Sequence, residues 1–227
     1  STDVVIELGG EDAKITYFSG SVEQRMNGTC AGGTGAFIDQ MAALLETDAT
    51  GLNELAKGAT TIYPIAARCG VFAKTDIQPL INEGARKEDI AASIFQAVVS
   101  QTISGLACGK PIRGNVAFLG GPLHFLDQLR HRFIVTLNLK DEEIIVPNNS
   151  QLFVAAGAAY SAERSYSCVS SSSEVPFISV EELREGLTTL VDAEMTEVQR
   201  LEPLFLNEQE LDDFRKRHAK EKAAVGD

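Results

Sequence analysis

The stretch VVIELGGEDAKITYF, residues 4–18, decides the fold class of this chain. Two β-rich runs, residues 4–8 and 13–18, are joined by the tight connection Gly-Gly-Glu-Asp, which is typical of a β-hairpin. After residue 110 the apolar pattern alternates strand, helix, strand and helix. Because alternation of this kind builds a sheet covered by helices, the chain is predicted to be an α/β protein.

The rest of the chain carries further periodic segments. Strands are predicted at residues 21–26, 116–119 and 144–146, and helices at 34–45, 48–57, 70–82, 88–107, 123–133 and 151–164. We expect the helices at 88–107 and 151–164 to pack on the sheet, because their apolar surfaces need a partner. Residues 60–66 are predicted to be irregular or extended.

Composition limits the classes of function. The chain has 227 residues, 44% of them hydrophobic, which is enough for one large domain or a domain with an appendage. A formal net charge of −12 argues against binding to nucleic acid or an anionic membrane. No transmembrane run or signal peptide is predicted. Four irregularly spaced cysteines favour a reducing compartment, so the predicted location is the cytoplasm.

Two cysteines stand directly before predicted helix starts. Cys30 lies in the run MNGTCAGGTGAF, residues 26–37, and Cys69 lies in RCGVF, residues 68–72. A helix N-terminus stabilises a thiolate, and two such cysteines would hold half of a four-thiolate iron–sulfur cluster that a symmetric dimer completes. The alternative, two cysteines packed as small apolar residues, stays open. Cys108 and Cys168 are predicted not to be ligands.

Two glycine pairs follow predicted strands. Gly9-Gly10 turns the hairpin, and Gly120-Gly121 stands at a strand-to-helix junction. Glycine lets the backbone approach a phosphate closely, and a carboxylate at a strand end could hold Mg²⁺. A plain hairpin turn and a plain strand-to-helix connection are the alternatives.

Taken in order, four motifs resemble the BadF/BadG/BcrA/BcrD ATPase family. They are ELGGEDAK at 7–14, MNGTCAGGTG at 26–35, CGVFA at 69–73 and LGG at 119–121, and the resemblance covers about residues 4–162. That family includes activators of 2-hydroxyacyl-CoA dehydratases, among them 2-hydroxyglutaryl-CoA dehydratase, and subunits of benzoyl-CoA reductases. The resemblance implies an actin/hexokinase-like (ribonuclease H-like) ATPase half with inserted helices, plus a C-terminal helical appendage.

The resemblance also implies site residues and cofactors. Gly9, Gly10 and Asp12 match the family's phosphate motif, and Gly120 and Gly121 match its adenosine motif. Cys30 and Cys69 match its cluster ligands. The family's cysteines hold one [4Fe-4S] cluster across a homodimer. Hydrolysis of Mg-ATP drives low-potential electrons to an acyl-CoA dehydratase or reductase. The motifs assign no catalytic residue.

The sequence departs from the family pattern in three ways. The family begins with a strand–Asp–Gly–Ser/Thr loop that this chain lacks, Glu7 stands where Asp is usual, and Glu11 stands where Gln is usual. The added acids repel a triphosphate unless Mg²⁺ intervenes. The chain is therefore expected to be a fragment without the N-terminal half of the ATPase. On its own it is expected to bind ATP weakly or not at all. The sequence does not decide whether it hydrolyses ATP.

Three regions are predicted. They are an ATPase-like domain at residues 1–163, a Ser-rich linker at 164–175, and a helical extension at 176–227. In the extension, Ser179 and Glu182 form a predicted capping box, with helices at 180–190 and 207–222. The tail resembles the connector of large activator-related proteins with two ATPase-like modules, which makes a second module, or a second copy, the expected partner.

Three functions are consistent with these features. The first is a fragment of an ATP-dependent iron–sulfur activator that delivers electrons to a dehydratase or reductase. The second is a degenerate, non-catalytic interaction or scaffold module of the same fold. The third is a sugar-kinase-like phosphotransferase with structural cysteines. Iron–sulfur absorption distinguishes the first from the others, and ATP turnover without redox chemistry favours the third.

Overall fold

The computed structural model describes residues 1–28, 32–66, 68–169, 179–192 and 203–219. A five-stranded sheet with the order β3-β2-β1-β4-β5 lies at the centre of the first unit, Ser1–Val169. Its strands are β1 (Val4–Leu8), β2 (Ala13–Tyr17), β3 (Glu23–Met26), β4 (Val116–Leu119) and β5 (Ile144–Ile145). The three predicted strands 4–8, 13–18 and 116–119 therefore share one sheet, as expected.

Strand β1 joins two kinds of pairing. It is antiparallel to β2, which is antiparallel to β3, and it is parallel to β4, which is parallel to β5. The predicted hairpin turn is confirmed, since the Gly9 N–H donates to the Asp12 carbonyl at 2.7 Å. The parallel half places the C-terminal ends of β1 and β4 side by side.

Helices surround the sheet close to the predicted positions. In this unit they are α1 (Gly35–Leu44), α2 (Ala49–Ala56), α3 (Gly70–Asn82), α4 (Lys87–Thr102), α5 (Gly121–Phe125), α6 (Asp127–Leu137) and α7 (Phe153–Val169). A π-helical turn, Ile103–Ala107, continues α4. The prediction of one continuous helix at 123–133 is wrong, because the structure has two helices there. Leu126 has φ −104° and ψ 89°, which separates α5 from α6.

One hydrophobic core holds the unit together. Alternate residues of β1 and β2 are buried on one face of the sheet, and they join one cluster with buried residues of α1, α2, α4 and α6. The helical stretch 87–107 is long and apolar enough to cross a membrane, but 67% of its most apolar window is buried inside the protein. It is therefore a core helix. Its π-helical end contacts β2 and β3, whereas α4 itself packs mainly against α2 and α6, so the predicted packing on the sheet holds at the C-terminal end of the helix.

The helix predicted at 151–164 is present as α7, but the prediction that it packs on the sheet is wrong. Every described side chain of α7, from Phe153 to Arg164, is exposed, including Val154 at 59% and Tyr160 at 73%. Small side chains permit close packing, but each buries so little area that composition alone does not select a surface to pack against. The apolar surface of α7 therefore lies open to solvent.

The second unit, Ser170–Asp227, contains α8 (Val180–Asp192) and α9 (Glu208–His218). The predicted capping box is present, because Glu182 N–H donates to Ser179 Oγ at 3.1 Å and Ser179 N–H donates to Glu182 Oε2 at 2.7 Å. Helix α7 continues to Val169, into the stretch predicted as a linker, and the remaining linker residues, 170–175, lie outside the described residues.

Candidate nucleotide and metal site

The Gly9-Gly10 turn is bonded to the start of helix α1. Gly35 N–H donates to the Gly9 carbonyl at 2.9 Å, and Ala36 N–H donates to the Gly10 carbonyl at 2.7 Å. A Cβ on Gly35 would lie 3.2 Å from both the Gly10 Cα and the Gly9 oxygen, which is tighter than most Cβ contacts, so this position favours glycine. The hairpin and α1 therefore meet backbone to backbone.

Gly120 makes a second close contact at the end of β4. Its φ of +90° is in the left-handed region, and an added Cβ would overlap the carbonyl oxygen of Leu8. Its N–H donates to the Ser150 carbonyl at 3.2 Å. The ends of two parallel strands are thus brought together by a close contact between the backbones of Leu8 and Gly120.

A cavity of about 340 Å³ opens between these contacts. Its wall contains Gly10, Gly35, Ile38, Asp39, Ala49, Thr50, Gly121, Pro122, Phe125 and Leu126. A volume of a few hundred Å³ with a mostly apolar wall suits a small molecule. Of the predicted nucleotide residues, Gly10 and Gly121 line the cavity, and Gly9 and Gly120 are their immediate neighbours. Asp12 lies on the exposed turn, away from the lining.

Lys14 offsets the charge of one predicted acid. Its Nζ lies 3.2 Å from Glu7 Oε1 and 3.8 Å from Asp12 Oδ2, and the Glu7 side chain is only 17% exposed. Lys14 faces Glu7 directly across the antiparallel pair. The hairpin register therefore supplies a cation that the sequence analysis did not place beside Glu7.

Asn27 was not identified as a site residue, yet it anchors the segment that leads to Cys30. Its Oδ1 accepts from Ala13 N–H at 2.7 Å, and its Nδ2 donates to the Glu11 carbonyl at 3.0 Å. The stretch between Asn27 and Gly35 is thus bonded to the glycine hairpin at both ends. Its position in the MN pair of the motif was the only sequence signal.

Cys69 is the N-cap residue of α3. It has extended backbone angles, makes no side-chain capping bond, is partly buried and carries a free thiol. Cys30 lies outside the described residues, so the proximity of Cys30 and Cys69 stays a prediction. Within the described parts of the chain, no group of three or more His, Cys, Asp and Glu side chains could hold a metal ion.

An extended segment, residues 59–66, connects α2 to the Cys69 region. Side chains of α3 and α4 accept hydrogen bonds from its backbone. In α4, Asp89 Oδ1 accepts from the N–H groups of Thr60 and Thr61 at 2.6 and 3.0 Å, and Ser93 Oγ accepts from Tyr63 N–H at 2.8 Å. In α3, Asp76 Oδ2 accepts from Ala66 N–H at 2.7 Å. The N–H groups of Thr60 and Thr61 hold the pKa of the Asp89 carboxyl below its usual range, because they stabilise its anion.

Comparison with known proteins identifies relatives of this architecture. A family model described as the BadF/BadG/BcrA/BcrD ATPase family matches residues 1–162. A 2-hydroxyisocaproyl-CoA dehydratase activator from Clostridioides difficile is 33% identical over 163 residues, which make up 70% of this chain and 59% of that protein. The chain spans about three fifths of the length of such relatives.

Two solved structures share the fold. Component A of (R)-2-hydroxyglutaryl-CoA dehydratase from Acidaminococcus fermentans has a TM-score of 0.65 and 32% identity, over 73% of this chain and 62% of that one. An activator of 2-hydroxyisocaproyl-CoA dehydratase from Clostridium difficile, with bound ADPNP, has a TM-score of 0.63 and 30% identity, over 77% and 66%. The predicted actin/hexokinase-like α/β fold is confirmed.

Proposed function

This chain belongs to the BadF/BadG/BcrA/BcrD ATPase family, and from that premise we propose that it is the nucleotide-binding part of an ATP-dependent activator of a 2-hydroxyacyl-CoA dehydratase or a related acyl-CoA reductase. The observation that carries this proposal is the cavity with glycine at positions 10, 35 and 121. Glycine at these three positions lets a phosphate chain approach the backbone closely. A related activator of known structure binds ADPNP.

The nucleotide residues in this proposal are Gly9, Gly10, Gly120 and Gly121, with Asp12 at the hairpin turn. Asp12 is exposed, so its carboxylate is accessible to a hydrated Mg²⁺ at the edge of the site rather than in the cavity. Lys14 lowers the local negative charge that Glu7 brings to the strand end. These features support binding of Mg-ATP, while the hydrolytic step is left unassigned.

We further propose that Cys30 and Cys69 are cluster ligands. The free thiol of Cys69 at the N-cap of a 13-residue helix fits this role, since the helix terminus favours a thiolate. A [4Fe-4S] cluster held by both cysteines and by those of a second copy would supply low-potential electron transfer. Asn27 and Gly35 form hydrogen bonds that connect both flanks of the Cys30 segment to the glycine hairpin. A nucleotide that contacts the hairpin therefore also affects the position of that segment.

The proposed partners follow from this role. They are a second copy of the chain or a second ATPase-like module, and an acyl-CoA dehydratase or reductase component. The proposed location is the cytoplasm, and the proposed division of the chain is an ATPase-like domain followed by a helical extension.

A non-catalytic interaction module of the same fold is the second candidate. The exposed apolar surface of α7 favours it, because such a surface is common at protein–protein contacts. A module of this kind would keep the glycine cavity without using it.

Anaerobic reconstitution tests the proposal. The chain is incubated with iron and sulfide, and iron, sulfide and molar mass are then measured. We expect about four irons per dimer and absorption by thiolate-bound iron. Cys69→Ala should abolish both signals, whereas Cys108→Ala, which removes an exposed free thiol elsewhere, should retain them.

Iron content that is the same in the Cys69→Ala variant as in the original chain would contradict the ligand assignment. Nucleotide binding without any cluster would favour the phosphotransferase, and the absence of both nucleotide binding and a cluster would favour the interaction module.

A further inference from the structure

The cavity wall contains a large aromatic side chain that the glycine motifs do not predict. Phe125 is 68% exposed and lines the cavity beside Pro122 and Leu126. The aromatic rings of the core, such as Phe118 and Phe133, are fully buried. Phe125 therefore contributes little to the core, and its exposed ring faces the space that a ligand would fill.

A neighbouring ring contacts this side chain. The His124 ring meets the Phe125 ring edge-on, with 4.7 Å between centroids and 89° between planes. His124 Nδ1 lies 2.9 Å from the Oγ of Ser150, a residue that is only 1% exposed. This contact restricts the Phe125 ring before binding, which reduces the freedom that the ring loses when a ligand stacks on it.

The side chains of the wall indicate which part of a nucleotide lies here. Gly10 and Gly35 carry no side chain, so that part of the wall leaves the backbone accessible to a phosphate chain. The apolar end formed by Pro122 and Phe125 is left for the uncharged, aromatic part of the ligand.

We propose that Phe125 stacks on the purine base of the nucleotide and so determines the contribution of the base to affinity. The inference rests on the proposed nucleotide site and goes beyond the glycine pairs, which fix only where the backbone is accessible. Stacking between an aromatic side chain and a base contributes enough that removal of the ring should weaken binding about tenfold.

The chain contains no tryptophan, which makes the test direct. In Phe125→Trp the new indole is the only one, and stacking on a base quenches its fluorescence. We expect Mg-ATP to quench it and Mg-tripolyphosphate, which has no base, to leave it unchanged. Phe18→Trp, at a 45% exposed position at the opposite end of the hairpin, is the matched control and should respond to neither.

Ligand-observed NMR on the original chain and on Phe125→Ala, at up to millimolar nucleotide, completes the test. The expected result is about tenfold weaker ATP binding by Phe125→Ala, with tripolyphosphate binding unchanged. ATP binding that is equal in both proteins, or equal quenching by tripolyphosphate, overturns the stacking role and leaves the nucleotide site in place. No ATP binding by the original chain overturns the nucleotide site, and the stacking role with it.

Discussion

At the scale of single residues, Gly10 and Gly120 have different reasons to be glycine. Gly120 has a φ of +90° and touches the backbone of Leu8. An added Cβ on Gly10 would meet nothing within 4 Å, because it would point into open space. One glycine is therefore required by the fold, and the other leaves room for a ligand.

These two positions give opposite predictions. Gly120→Ala should lower the free energy of unfolding by about 2 kcal/mol or more, since it adds backbone strain and a steric overlap. Gly10→Ala should change it by less than about 0.5 kcal/mol and should weaken Mg-ATP binding, because it adds a methyl group to a residue that lines the cavity. Urea unfolding and ligand-observed NMR measure the two effects.

Gly157→Ala is the control, because an added Cβ on this exposed residue of α7 also meets nothing. It should leave Mg-ATP binding unchanged and should raise rather than lower the free energy of unfolding, by up to about 1 kcal/mol, because alanine favours a helix over glycine. A Gly120→Ala variant as stable as the original chain would be incompatible with the close contact between the ends of β1 and β4.

At the scale of elements, the extended segment 59–66 depends on side chains rather than on a strand ladder. The Asp89 carboxylate, on a residue only 3% exposed in helix α4, accepts two of its backbone N–H groups. Because the segment leads to Cys69, this carboxylate helps to fix where the proposed ligand lies. Its lowered pKa makes the contact sensitive to acid.

The sign of that sensitivity follows from the lowered pKa of Asp89. The unfolded chain takes up the proton more readily than the folded chain, so the contribution is full above the ordinary Asp pKa of about 4. It is lost as the pH falls through the lower folded value. Unfolding free energies measured between pH 5 and 2.5 should therefore fall more steeply for the original chain than for Asp89→Asn.

Asp141→Asn, which removes a carboxylate from a short exposed 3₁₀ turn, controls for the change in net charge. It should keep the steep acid dependence. Parallel curves for the original chain and for Asp89→Asn would show that the segment is held in some other way.

At the scale of the whole molecule, the net charge of −12 acts against an anionic ligand. Glu11 and Asp12 lie on the exposed hairpin turn, and Asp39 lies in the cavity wall. Only part of this charge is offset locally, by Lys14. Mg²⁺ and dissolved salt therefore influence whether a triphosphate approaches the site.

Salt should strengthen the binding of ATP to this chain. Raising NaCl from about 20 to 200 mM shortens the screening length to below about 10 Å and weakens the repulsion, so we expect roughly twofold tighter binding of Mg-ATP. Titrations at several salt concentrations, with and without Mg²⁺, measure this. Weaker binding at high salt would mean that cations dominate the field at the site.

The sequence by itself determined the elements whose signals are local. The hairpin follows from two β-rich runs around Gly9-Gly10, and the capping box follows from Ser179 and Glu182, because each depends on residues a few positions apart. The resemblance of four motifs also identified the family, and with it the fold. Gly10 and Gly121 were found in this way as residues that line one cavity.

Only the tertiary structure decided which surfaces and charges meet. The exposure of α7, the ion pair of Lys14 with Glu7 and the place of Phe125 in the cavity wall follow from register and packing. Helical periodicity shows that a helix has an apolar surface but does not say what covers it. Contacts between residues far apart in the chain depend on how all the elements pack at once, which no local pattern contains.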